Sequence, residues 1–318
     1  MVWTSDTAKG GPMRLASVWH QGQPRLAGAL DETWYDLTRA FQLWRLLTGG
    51  PETPPVTDLP SFLAATPDPL ETVAALRALL QTPGLAERLR LTGPVTLRAP
   101  VPRPGLFLGV GHNFPRSPAQ PRPPVPGLFL KASRAVIGPE EPIPLYPETT
   151  YAIPEVELAV VIGRRARHLR ESTALAVVAG YTIVNDVSFY RARGTGGEEI
   201  AIPAAIAKGA DGHGPMGPWV VTPDALGDPH RLELLLDRNG QPCQRDTTAR
   251  LLFSIPEILT YVSRYMTLEP GDVITTGTPL EGIPVLQPGD VITASIERIG
   301  VLRNPVVLVT ESGADDGR

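Results

Sequence analysis

Cysteine is nearly absent from this chain: Cys243 stands alone among 318 residues, which excludes an intrachain disulfide and any cysteine-rich zinc site. Excess charge is absent too. With 29 basic against 33 acidic residues and a formal charge of −4, the electrostatic footprint of a nucleic-acid or anionic-membrane binder is missing. No apolar run reaches the length of a bilayer span, and residues 1–12 contain no hydrophobic signal-peptide region. The expectation is a soluble, cytoplasmic protein whose partner is a small molecule rather than nucleic acid or membrane. What the chain has in quantity is punctuation. Its 36 prolines and 31 glycines suit many short strands joined by turns better than a helical bundle.

Four regions are expected: a disordered start over 1–12, a small N-terminal α/β domain over 13–98, a larger, mostly β domain over 99–310, and a frayed acidic tail over 311–318. Residues 14–19 and 25–30 read as a hairpin whose turn carries His20 as a solvated loop residue. Asp68-Pro69 reads as an N-cap and first helical position ahead of helical apolar spacing over 70–80. Proline-rich 98–104 reads as a stiff linker. Strands are expected at 106–110, 128–131, 156–162, 182–184, 219–221, 232–236, 272–276 and 290–296. One further helix is expected over 254–265, with Ser254 as N-cap and Glu257 completing a capping box.

Three carboxylates carry the chemistry. Glu155 and Glu157 lie two positions apart in a strand-like run, so both point to one face. Two like charges on a half-buried face repel unless a proton or a cation offsets them, and hard oxygen donors suit magnesium, manganese or calcium rather than zinc. The alternative is a solvated strand face. Asp186, ending the apolar run 177–184, tilts the balance toward a placed cluster. Downstream, Lys208 and Asp211 sit in a Gly/Pro-rich loop: either a substrate-binding or proton-tuned lysine, or a surface one. The turn Thr275-Thr-Gly-Thr-Pro279 offers hydroxyls and free N–H groups to an anion, or simply ends a strand.

Taken in order, these segments resemble the fumarylacetoacetate hydrolase family. The matching text runs from about Gly105 to Val306, nearly two thirds of the chain. It includes Val110-Gly-His-Asn-Phe114, Leu128-Phe-Leu-Lys131, Pro154-Glu-Val-Glu-Leu158, Asn185-Asp-Val-Ser188, Lys208, Asn239-Gly240, Gln244 and Gly271-Asp-Val-Ile-Thr-Thr-Gly-Thr-Pro279. The resemblance implies a mixed β-roll or flattened barrel-like catalytic domain over 99–310, preceded by the family's small N-terminal domain, usually in a homodimer. It also implies Glu155, Glu157 and Asp186 as ligands of Mg2+ (or Mn2+ or Ca2+), Lys208 as the active-site lysine with Gln244 beside it, and Lys131, Gly277 and Thr278 as pocket lining. The implied substrate is a small 2-oxo acid or acylpyruvate-like diacid, chelated through its carboxylate and keto oxygens and processed by C–C hydrolysis or decarboxylation through an enolate. Hydration or dehydration of a 2-oxo acid is the alternative reaction, and a non-catalytic protein retaining the metal site is the third.

The departures are informative. Where many members carry a water-activating His-x-x-Glu pair, this chain has Ser117 and Gln120, neither a competent base alone. The segment 113–126 is too proline-dense for a closing helix and reads either as a stiff lid or as a solvated connection. His112 or His213 could replace the base, or each could be structural; His168 and His230 read as exposed strand-end residues. Ser188-Phe-Tyr-Arg191 replaces the family's Ser-Ala-Arg-Asp, and Arg191 either reaches a substrate carboxylate or belongs to a basic surface loop.

Overall fold

The computed structural model describes residues 13–50, 54–117 and 119–309; the expected disordered start and the expected tail at 311–318 lie outside the described residues. The α+β, mostly β expectation holds. The principal sheet runs, in spatial order, through Thr33–Asp36, Gln23–Leu30, Arg14–His20, Gly214–Val221, Val178–Asn185, Val156–Ile162, Val273–Thr275, Phe107–Gly111 and Gly127–Leu130. A second sheet carries Gln241–Thr247, Glu233–Arg238, Val291–Ile296, Gly300–Leu308 and Ile143–Leu145, and a small third one carries Glu199–Ala201, Ser188–Arg193 and Thr149–Ile153. Among the described residues no sheet closes into a barrel.

Apart from Glu157, the central strand Val156–Ile162 is apolar throughout because both of its faces are covered. Leu158, Val160 and Ile162 pack into the core shared with Leu234, Leu236, Ile292 and Ile296 of the second sheet. Ala159 and Val161 pack into the other core, with Leu15, Leu26, Phe41, Phe62 and Leu76 of the N-terminal unit. Side-chain alternation thus glues one strand to two layers. The N-terminal hairpin also joins the sheet directly, Arg14 pairing with Val221 and Leu15 with Val220.

Helix ends follow local chemistry. Asp68 accepts from Glu71 N ahead of Pro69–Leu80, and Ser254 and Glu257 form the reciprocal capping box that opens Ile255–Tyr265. His20 departs from its expectation as a solvated residue: it ends a paired strand, is buried, and its Nδ1 lies 3.2 Å from the Pro94 carbonyl. His230 departs as well, half-buried with Nε2 accepting from Ile255 N at 3.0 Å, so it helps cap that helix. No helix among the described residues is long and apolar enough to cross a membrane.

Candidate active site

Antiparallel register builds the site. Val156 pairs with Asn185, which brings the start of one strand against the end of the other, and Asp186 N donates to the Glu155 carbonyl at 2.8 Å. The Asn185 side chain locks the junction by accepting from Glu155 N at 2.9 Å. On the opposite side Ala159 pairs with Thr275, so the turn after Thr275 lies beside Glu157 and Gly277 N donates to Glu157 Oε2 at 2.9 Å. Gly277 has φ +93°, and a Cβ there would lie 2.8 Å from the Val110 carbonyl oxygen and 2.9 Å from Asn113 Cβ. Glycine is therefore required twice, by conformation and by space.

Glu155, Glu157 and Asp186 are all buried, with one oxygen from each lying within 4.8 Å of the others. The solvated-face alternative is thereby excluded. Lys208 reaches back from its loop to place Nζ 2.6 Å from Glu155 Oε2 and 2.6 Å from Asp186 Oδ2. Lys131 Nζ stands 2.7 Å from Asp186 Oδ1 and donates to the Val187 carbonyl at 3.1 Å. The Ser188 hydroxyl donates to Glu155 Oε2 at 2.8 Å and also meets Lys208.

These contacts separate the acids. Burial, only partly countered by Lys208, pushes Glu155 up to about 7; burial together with the charges of Asp186 and Glu155 pushes Glu157 up to about 8. Burial would raise Asp186 as well, but the ammoniums of Lys131 and Lys208 outweigh it and hold this carboxyl below its usual range. Burial drives Lys131 down, whereas the two acids hold Lys208 well above an ordinary lysine. Three converging buried oxygen donors, two of which resist ionising without more positive charge, form a set that fits a hard divalent cation.

Around this cluster the pocket residues fall into two groups. Gln244 is buried, with Nε2 donating to the Pro279 carbonyl at 2.5 Å and Oε1 lacking a partner; Thr278 is buried on the same turn. Arg191 goes elsewhere, exposed and held by Glu199 at 2.8 Å. His112 is exposed, in a left-handed backbone conformation at φ +57°, whereas the three carboxylates are buried. His213 is fully buried with Nε2 2.8 Å from the Pro144 carbonyl, a structural clasp on the loop that carries Lys208. The segment after Asn113 forms no helix among its described residues: Ser117 is exposed, Gln120 caps Arg116 N, and Arg122 ties the segment to Glu257 at 2.6 Å.

Sequence reasoning assigned no role to Asn113, Phe129, Asn185, Ser188 or Tyr190. Asn113 bonds Phe253 and the Thr276 carbonyl and so pins the turn that presents Gly277. The tip of the Phe129 ring packs on Gly109, where a Cβ would come within 2.1 Å of it, and its centroid is 4.5 Å from Lys208 Nζ. Ser188 alone is close in sequence, opening the strand Ser188–Arg193 two positions beyond Asp186.

The model of the fumarylacetoacetate hydrolase C-terminal domain matches residues 108–307. A mitochondrial oxaloacetate tautomerase of Bos taurus is 39% identical over 224 residues, 67% of this chain and 70% of that protein. A 2,4-didehydro-3-deoxy-L-rhamnonate hydrolase of a Sphingomonas species is 39% identical over 186 residues, 57% of this chain and 63% of the relative. Among solved structures, maleylpyruvate hydrolase from Sphingobium sp. SYK-6, in complex with manganese(II) and pyruvate, superposes with a TM-score of 0.73 at 28% identity, over 94% of this chain and all of that one. A fumarylacetoacetate hydrolase from Exiguobacterium antarcticum gives 0.69 at 30% identity over 93% of this chain and all of that one. The matched span includes all three buried acids and both lysines, and this chain is an enzyme of the fumarylacetoacetate hydrolase family.

Proposed function

We propose that the enzyme forms and reprotonates the enolate of a short 2-oxo acid of the oxaloacetate type, by keto–enol interconversion or decarboxylation, with magnesium held by Glu155, Glu157 and Asp186. The observation that carries this reading is a complete charge-stabilising cluster beside a Ser117/Gln120 loop that supplies no water-activating base. A divalent cation on the three carboxylates supplies a Lewis acid that polarises the keto oxygen and offsets enolate charge. The chain's own groups do the rest. Three carboxylates against two ammoniums leave one net negative charge, so a dication makes the site net positive and suited to an anionic 2-oxo acid. Lys208 donates toward negative charge, Gln244 offers its unpartnered Oε1 to a ligand hydroxyl, and Thr278 offers a hydroxyl. The likeness to an oxaloacetate tautomerase supports the same reading. The homodimer and cytoplasmic setting expected from the sequence are part of the proposal, although that relative is itself mitochondrial.

Hydrolysis of an acylpyruvate is the second reading, favoured by the shared fold of the maleylpyruvate hydrolase. Offering the magnesium-loaded protein enol-oxaloacetate and acetylpyruvate separates the two. Accelerated decay of the enol absorbance, or CO2 release, is expected; cleavage of acetylpyruvate into two acids with no effect on oxaloacetate overturns the proposal. Glu157→Gln and Asp186→Asn should each abolish both turnover and magnesium-induced stabilisation, read by thermal melting with and without chelator. Unchanged values in both variants would refute the centre itself.

A further inference from the structure

The exposure of the site residues is graded. Side-chain exposure is 0% at Asp186 and 13% at Lys208, so the way in from solvent runs past the lysine. Against Lys208, on the outward side, stands Tyr190 at 37% exposed, its ring centroid 5.8 Å from Nζ. Backbone geometry puts it there. In the pairing of Ser188–Arg193 with Thr149–Ile153, Phe189 faces Ala152 and Arg191 faces Tyr151, which leaves Tyr190 as an extra residue with no partner, a β-bulge. Bulges bend a strand and re-aim one side chain, often beside an active site. The ring is buttressed from behind by Tyr151 at 6.4 Å. Phe129 faces Lys208 with its own ring, seated on Gly109, so two aromatic walls flank the lysine.

We propose that Tyr190 is a specificity-determining residue that limits the length and bulk of the 2-oxo acid bound at the cation that Glu155, Glu157 and Asp186 would hold. This rests on the reading of the site as a 2-oxo acid site. The inner end of a ligand would be held by the cation on the carboxylates and by Lys208; whatever extends outward past the lysine meets the Tyr190 ring. A short acid fits inside it, whereas a bulky acyl group collides with a wall backed by Tyr151. The phenol ring, rather than its hydroxyl, sets the limit.

Binding to the magnesium-loaded protein tests this directly, by calorimetry with acetylpyruvate and benzoylpyruvate as the short and bulky probes. Wild type should prefer acetylpyruvate, and Tyr190→Ala should shift the affinity ratio toward benzoylpyruvate by at least about tenfold, the scale of one pocket group gained or lost. Tyr190→Phe should keep the wild-type ratio, and Tyr190→Trp should sharpen it. A ratio unmoved in Tyr190→Ala and Tyr190→Trp, with magnesium affinity intact, overturns the inference alone. Failure of both probes to bind wild type overturns the 2-oxo acid reading, and this inference with it.

Discussion

Replacing Lys208 by methionine removes an ammonium while keeping an unbranched side chain, and the structure makes the cost smaller with a cation than without one. Lys208 Nζ makes two charge-assisted contacts of 2.6 Å, to Glu155 and Asp186, at only 13% side-chain exposure. Deleting one partner of a buried ion pair costs about 3–5 kcal/mol, because the remaining charge is stranded. Here relief is at hand: Glu155 already sits near 7 and can take up a proton, and Lys131 still neutralises Asp186. The loss in chelator should therefore fall at the lower end, about 3 kcal/mol near neutral pH. Magnesium narrows the gap, since without the ammonium one positive charge fewer competes for the same oxygens. Saturation at 100 times Kd stabilises a protein by about 2.7 kcal/mol, and a variant with tighter magnesium binding gains more at equal concentration. Urea denaturation in EDTA and again in excess magnesium measures both gaps, and the wild-type to variant difference should shrink when the metal is added. An equal difference in both conditions, or none in either, would refute this account of the lysine.

Two further outcomes follow from single positions. Gly277→Ala should lose about 1–3 kcal/mol from placing a Cβ at φ +93°, with weaker magnesium affinity because the N–H to Glu157 is displaced; stability within error of wild type in urea would contradict the packing described. His213, burial of which pushes it down to about 4, stays neutral in the fold while the unfolded chain protonates near 6.5, so its contribution is lost as pH falls from about 6.5 toward 4. Glu155 and Glu157 oppose that slope in the absence of metal, their folded values lying above the unfolded ones. The difference between wild type and His213→Gln, which keeps a donor for the Pro144 carbonyl, isolates the effect: it should change by up to about 3 kcal/mol across that window, and a pH-independent difference would count against it.

The parts of this enzyme that a reader could recover from its sequence are those encoded by neighbours in the chain. Glu155 and Glu157 share a face because strands alternate, Asp186 ends an apolar run, and Ser254 with Glu257 announces a helix start; each needs only a few adjacent residues. By the same standard the helix Leu37–Thr48 was readable, with Asp36 as N-cap, Gly49 beyond its end, and Leu37, Ala40 and Phe41 at helical spacing, yet it was overlooked. The positions that distinguish the site are of another kind. Lys208 reaches its acids across 53 and 22 residues, Phe129 needs a glycine on a neighbouring strand, and Tyr190 is aimed by a bulge that exists only in the pairing with Thr149–Ile153. Local pattern cannot report such contacts, because their geometry is set by register between distant segments. The carboxylate cluster proposed to hold the cation, its acids two positions apart or at the end of an apolar run, was therefore open to sequence reasoning. The wall that selects its ligand was not, because one residue more or less in the 188–193 strand would turn Tyr190 away from Lys208 while leaving every carboxylate in place.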